Sequence, residues 1–231
     1  AFLDLGAEST RPQATPISNE EEWQRLKPAL MLLNDLLEPL SCRPWISVDT
    51  YHPSTLLSAS EWFLDLANDV TGFQSKTYRD TVRQLNLPTV VMHNLGIPPC
   101  SSTIIPSHPN PTEQLYHWWE HILETCDKES IPSHKIYFDP GIGFGKSPHQ
   151  SLQILKNFSE FEKIKQNILI GHSRKSFFKL FNNNRLAHQR EGETIGTSLA
   201  LMNKPVEVLR VHDFEAQLHA QNVYNVLNAS F

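Results

Sequence analysis

Several short stretches of this sequence gather acids, amides, cations and hydroxyls in patterns that could do chemistry. Asp139-Pro140-Gly141-Ile142-Gly143-Phe144-Gly145-Lys146-Ser147 ends like a phosphate-binding loop. That spacing requires glycine where Pro140 stands, so the nucleotide reading fails. The glycines could simply turn a strand into a helix, but an acid at the strand end, Asp139, favours a site. Leu3-Asp4-Leu5-Gly6-Ala7-Glu8-Ser9-Thr10-Arg11-Pro12 places another acid before a loop with two hydroxyls and an arginine. Glu8 and Arg11 could pair there, or the guanidinium could clasp a carboxylate or phosphate in bidentate fashion. Gly171-His172-Ser173-Arg174-Lys175-Ser176 concentrates cations and hydroxyls at a strand end, where the start of a helix favours anions. Arg210 and His212, two apart on an extended segment, point the same way, and Asp213 is placed to cap the last helix.

The elements that must position these residues alternate. Short β-branched runs at Phe2–Leu5, Trp45–Val48, Phe63–Ala67, Thr89–Met92, Ile136–Phe138, Ile168–Ile170 and Val206–Val211 predict seven strands. Between them, Ser18-Asn19-Glu20-Glu21 caps a helix with apolar residues Trp23, Leu26, Leu30, Leu33 and Leu37, expected to kink at Pro28. Further helices are predicted at Pro53–Ser60, Thr77–Leu85, Thr112–Cys126, Gln150–Phe161, Lys175–Phe181, Glu193–Met202 and Asp213–Asn228. Leu95–Pro111, rich in Pro, Ser and Asn, reads as a long loop. Every strand ends in polar or glycine-rich chemistry, and parallel strands put all those ends on one face. A (β/α)₈ barrel builds its active site there from several strands, whereas an open sheet needs polar residues only at its switch point. The prediction is therefore an α/β TIM barrel, with seven of eight βα units in one domain over 1–231. Ala1 falls inside the first strand, so the start reads as cut.

Composition narrows the function. With 231 residues, 39% hydrophobic and 19% charged, the chain is neither disordered nor a disulfide-stapled miniature. A net charge of −5 supplies no field for nucleic acid or anionic lipid. The longest apolar stretch, Ala29 to Leu40, is interrupted by Asn34, Asp35 and Glu38 and cannot span a bilayer. Cys42, Cys100 and Cys126 lie far apart with no metal-ligand spacing, which suits a reducing cytoplasm. His52, His108, His117, His121, His134, His149, His188 and His219 read as solvated, His93 and His172 stand at strand ends, and Trp118-Trp119 reads as helix packing.

The motifs above, together with Ile46-Ser47-Val48-Asp49-Thr50, Asn68-Asp69-Val70-Thr71-Gly72, Val91-Met92-His93 and Arg210-Val211-His212-Asp213, resemble dihydropteroate synthase in order and spacing. The resemblance covers almost the whole chain. It implies a homodimeric TIM-barrel transferase of folate biosynthesis, joining 6-hydroxymethyl-7,8-dihydropterin diphosphate to 4-aminobenzoate to give 7,8-dihydropteroate and diphosphate. Sulfonamides inhibit that family as aminobenzoate mimics. By position, Asp49, Asn68, Met92, Asp139 and Lys175 would bind the pterin, and Arg210 and His212, with Asn68, the diphosphate. Ser9, Thr10, Arg11, Pro12, Phe144, Lys175 and Ser176 would form the aminobenzoate side. Asp49, Lys175, Arg210 and His212 would be the catalytic set, with Asp4 a further strand-end acid. Carboxylates accept from the pterin's amino and ring N–H groups, and Lys and Asn donate to its carbonyl and ring nitrogens.

The sequence departs from the family at Ala7, where a second glycine is usual, and at His172. The family's first strand and its Asn-Val-Thr-Pro-Asp-Ser-Phe-like loop have no counterpart in these residues. The resemblance therefore implies a Mg²⁺ cofactor whose Asn ligand is absent from the chain, and two unpaired strand edges. Two other readings share the pterin-holding acids: a methyltransferase barrel serving a corrinoid, and a non-catalytic pterin-binding homologue. An upstream pterin diphosphokinase is compatible with the sequence. The Ser-Thr-Arg-Pro loop and the Ser-Arg-Lys and Arg-x-His groups favour the synthase.

Overall fold

The computed structural model describes residues 1–10, 14–97, 100 and 102–229. Strands β1 (Phe2–Gly6), β2 (Trp45–Asp49), β3 (Leu66–Asp69), β4 (Thr89–Met92) and β5 (Ile136–Asp139) form one parallel sheet in sequence order. β6 (Leu169–Ile170) pairs in parallel with β7 (Val208–Leu209), and a bridge from Phe138 to Ile168 joins this pair to β5. Helices α1 (Asn19–Leu37), α2 (Pro53–Ala59), α3 (Lys76–Leu85), α4 (Pro111–Lys128), α5 (Pro148–Lys156) and α6 (Glu191–Leu201) lie in the crossovers, and α7 (Phe214–Asn228) follows β7.

Strand periodicity sorts the side chains into two cores. Outward residues Ile46 and Val48 of β2 pack on Leu26, Leu30 and Leu37 of α1. Val91, Ile136, Phe138 and Ile170 join Leu115, Trp119 and Ile122 of α4 in the largest cluster. Trp119 packs on Phe138 with ring centres 4.9 Å apart, so the tryptophan pair does fasten helix to sheet. Inward residues make a separate cluster from six strands: Phe2, Leu66, Val90, Tyr137, Leu169 and Val208. Only a sheet curled on itself brings those side chains together, as the filled interior of a TIM barrel does. Among the described residues, neither β1 nor β7 pairs with a further strand.

The element boundaries differ from expectation where apolar runs outlast their ladders. The third strand is Leu66–Asp69, not 63–67: Phe63 lies under the Arg43 guanidinium at 4.5 Å, outside the sheet. The seventh is Val208–Leu209, not 206–211, because its neighbour β6 offers only two residues to pair. The helix expected over 150–161 stops at Lys156, and a 3₁₀ segment, Phe158–Lys163, follows. The one expected over 175–181 is 3₁₀ over Ser176–Leu180. α1 runs continuously through Pro28, which lies on its exposed side. Its cap is as expected: the Ser18 side chain accepts from Glu21 N–H.

Candidate active site

One step further along, the inward row that fills the barrel turns mostly polar. Asp4 follows Phe2 by two residues, Asn68 follows Leu66, Met92 follows Val90, Asp139 follows Tyr137, Gly171 follows Leu169 and Arg210 follows Val208. Asp49 ends β2 in the same register, opposite Asn68. This layer floors a narrow cleft lined by Thr10, Asp49, Asn68, Val70, Met92, Asp139, Ile142, Phe144, Gly171, Lys175 and Arg210.

Arg210 spans the mouth. Its Nε lies 2.6 Å from Asp4 Oδ2 and its Nη2 donates to Asp49 Oδ2 at 2.9 Å. The guanidinium side chain is still 45% exposed, so its outer side faces whatever enters. Asn68 Nδ2 donates to the same Asp4 oxygen at 3.3 Å. That contact fixes the sense of the amide and turns its carbonyl oxygen away from Asp4. The Asp4 Oδ1 atom is buried and has no hydrogen-bond partner among the described residues. Burial, with the nearby charges of Asp4 and Glu22, pushes the Asp49 carboxyl up to about 7 against the pull of Arg210 and Lys175. Burial also raises Asp139, opposed by the Gly141 N–H that donates to its Oδ1 at 2.7 Å and by Lys175.

On the other wall the Lys175 ammonium lies 4.0 Å above the Phe144 ring, a cation–π contact. Of the residues expected for the site, the structure gathers Thr10, Asp49, Asn68, Met92, Asp139, Phe144, Lys175 and Arg210 on the cleft. Ser9 and Ser176 are exposed and do not line it. Arg11 and Pro12 lie outside the described residues. His212 Nδ1 is 2.8 Å from Ser173 Oγ, a bond that ties the ends of β6 and β7 beside the cleft rather than in it. Burial lowers the His212 pKa, and Arg174 and Arg210 lower it further.

Other polar residues take structural parts. His172 is fully buried, and its Nε2 meets Ser198 Oγ at 2.8 Å and the Thr194 carbonyl at 3.2 Å, facing α6 rather than the cleft. Burial takes its pKa down to about 4, so it packs neutral. His52, read as solvated, is half-buried with Nε2 2.9 Å from Glu8 Oε2. Glu8 also accepts from the Tyr51 hydroxyl at 2.6 Å and from Ile17 N–H at 3.1 Å, so this carboxylate is consumed by the loop's own anchoring. Sequence reasoning missed Glu22, which is fully buried in α1 and accepts from Thr50 Oγ1 at 2.7 Å. Its signal was available: an acid on the same helical face as Leu26 and Leu30.

A resident metal does not fit these residues. Among the described residues no group of three or more His, Cys, Asp or Glu side chains is placed to hold a metal ion, and the Arg210 cation already bridges the mouth acids Asp4 and Asp49.

The sequence pattern of the family described as "Pterin binding enzyme" matches residues 1–212. The chain belongs to that family. The chain is 37% identical over 220 residues to the "Folate synthesis bifunctional protein" of Chlamydia muridarum, covering 93% of the chain and 48% of that protein. It thus spans about half the length of the first curated relatives it matches. Among solved structures, dihydropteroate synthase of Anaplasma phagocytophilum with bound 6-hydroxymethylpterin-monophosphate superposes with a TM-score of 0.90 at 30% identity, over 98% of this chain and 88% of that one. The Xanthomonas albilineans dihydropteroate synthase with 4-aminobenzoic acid gives 0.89 at 27% identity, over 100% and 80%. The fold is therefore the TIM barrel of these enzymes, in agreement with the interior layer of this chain. No helix among the described residues is long and apolar enough to cross a membrane.

Proposed function

We propose that this chain carries the dihydropteroate synthase activity: transfer of the pterin-methyl group of 6-hydroxymethyl-7,8-dihydropterin diphosphate to 4-aminobenzoate, releasing diphosphate, as a step of folate biosynthesis. The observation that carries this reading is the inward polar layer, where carboxylates and an amide on β2, β3 and β5 face two cations from the ends of β6 and β7. Asp49, Asn68 and Asp139 offer acceptors at the depth of Met92, suited to the donor edge of a pterin lying on the thioether. Lys175 stands between that ring position and Phe144, and its ammonium suits both the pterin's acceptors and an incoming carboxylate-bearing arylamine.

The chemistry follows from charge. An arylamine is a weak nucleophile, so the C–O bond to diphosphate loosens first and leaves a cation delocalised into the electron-rich dihydropterin. Stabilising the leaving group is then the main task, and Arg210, half exposed at the mouth, is the donor best placed for it. Diphosphate entering there competes with Asp4 and Asp49 for the guanidinium. Releasing Asp49 from Arg210 frees its carboxylate for the pterin, so occupation of one subsite favours the other.

Mg²⁺ enters this proposal only as a counter-ion carried on the diphosphate oxygens, and no step depends on a metal held by the chain. The unpaired Cys42, Cys100 and Cys126 support a cytoplasmic location, and the exposed apolar residues of α7, among them Val223, Val226 and Leu227, are compatible with a homodimer. A diphosphate-release assay with both substrates tests the activity. Release that requires aminobenzoate and is competed by a sulfonamide supports it. Pterin binding without release leaves the non-catalytic homologue as the reading.

A further inference from the structure

One conspicuous residue of the glycine-rich run is not used by this chemistry. Lys146 is 6% exposed, and its ammonium lies inside the barrel wall rather than in the cleft. Among the described residues its hydrogen-bond partners are neutral groups: the Gly141 carbonyl at 3.1 Å, the Phe144 carbonyl at 2.9 Å and His93 Nδ1 at 2.9 Å. Burying a lysine without a hydrogen-bonded carboxylate is costly, and burial takes its pKa down to about 7 although Asp139 opposes the fall. A feature this expensive needs a return.

The return lies in what those carbonyls belong to. Gly141, Gly143 and Gly145 have φ of 64°, 80° and 57°, so the segment takes the left-handed conformation at three positions, and its Gly141 and Phe144 carbonyls turn to the ammonium. A Cβ at Gly141 would lie 2.0 Å from the His93 carbonyl oxygen, so the loop and the end of β4 are pressed together there. Ile142 and Phe144, the side chains between the glycines, both line the cleft, and Phe144 meets Lys175. His93 is held in turn by Trp118, edge to face at 4.9 Å. The ammonium thus ties the carbonyl behind the Phe144 ring to a fixed point on β4 and α4.

We propose that Lys146 is a positioning residue for the aminobenzoate side of the site: its buried ammonium fixes the glycine loop and so holds the Phe144 ring against Lys175. The proposal rests on the synthase reading for the name of the ligand, and on geometry alone for the contact. Two measurements on the Lys146→Met protein separate these. The first is steady-state kinetics. The KM for aminobenzoate is expected to rise about tenfold, while kcat and the KM for the pterin diphosphate stay within about threefold. A lysine that merely supports the fold would lower the melting temperature and leave that split flat.

The second is the ¹⁹F resonance of 4-fluorophenylalanine placed at position 144, which needs no turnover. A shifted or broadened line in Lys146→Met is expected, and an unchanged line overturns the proposal. An aminobenzoate KM within about twofold of the parent overturns it as well. If the parent chain itself shows no synthase activity, the functional reading fails and the fluorine signal alone decides the role of Lys146. Should Lys146→Met fail to fold, His93→Gln withdraws one of the three partners. A shift of the same line supports the assignment, and an unmoved line rejects it.

Discussion

The two layers inside the barrel lie on the same strands and the same face, and they differ in almost everything else. Phe2, Leu66, Val90, Tyr137, Leu169 and Val208 form a packed plug. Two residues further along, Asp4, Asn68, Met92, Asp139, Gly171 and Arg210 form a half-open layer dominated by charge. The plug gains free energy from burial, roughly 25 cal/mol per Å² of apolar surface. The polar layer spends it: the Asp49 carboxyl pKa is held up to about 7, that of Asp139 is raised, and an oxygen of Asp4 is left buried without a partner among the described residues. Stability and chemistry are therefore stacked along the barrel axis, with one pleat between them.

That separation is testable from both sides. Arg210→Ala strips the mouth of its central cation, and removal of one preorganised donor aimed at developing charge costs roughly 2.7–4 kcal/mol in activation free energy. Turnover in a diphosphate-release assay is expected to fall on the order of a hundredfold or more, and turnover within about threefold of the parent would falsify the assignment. Leu169→Ala acts on the plug instead. Cavity formation there is expected to cost about 2–5 kcal/mol of unfolding free energy in a urea titration, with kcat of the surviving folded protein near the parental value. A large kcat loss in a folded Leu169→Ala protein would show that the two layers are one unit.

The sequence revealed the layer better than it revealed its wiring. Strand ends at Asp4, Asp49, Asn68, Asp139 and Arg210 were legible because apolar runs give way there to polar residues, whereas Met92 came only with the family resemblance. Phe63 misled the start of β3, since a cation on its face imitates the demand for burial that a sheet creates. Phe177 and Phe178, adjacent and both buried, suit a 3₁₀ turn better than the α-helix expected there. Contacts between distant segments were out of reach. Arg210 meets Asp49 across 161 residues of sequence, and Lys146 meets His93 across 53. Nothing local announces either, nor that His172 faces α6 while Lys175 faces the cleft.

Asp49 gives the comparison a pH axis. Its carboxyl is raised from 3.8 to about 7 in the fold, so between those values the folded protein holds a proton that the unfolded chain has released. Stability from this group is complete below the unfolded pKa and is lost as pH rises through the folded one. Asp49→Asn should therefore flatten the fall in melting temperature between about pH 4 and pH 7, and melt higher than the parent at pH 8 by a few degrees. A parental slope unchanged by the substitution would mean that the Arg210 contact dominates and keeps the carboxyl ionised throughout.

The smallest expected effect separates the loop from the helix that follows it. Ser147 caps α5 through a reciprocal capping box: its hydroxyl accepts from Gln150 N–H while the Gln150 side chain accepts from Ser147 N–H. Loss of such a cap costs about 1 kcal/mol. Ser147→Ala is expected to lower stability by that amount in the same urea titration and to leave both substrate KM values unchanged, although it adjoins Lys146. The reason is direction. The cap holds the helix from outside the barrel, whereas the Lys146 ammonium holds the carbonyls behind the cleft. A KM for aminobenzoate that rises in Ser147→Ala would mean that the loop is placed by its attachment to α5, and that the glycines merely follow the helix.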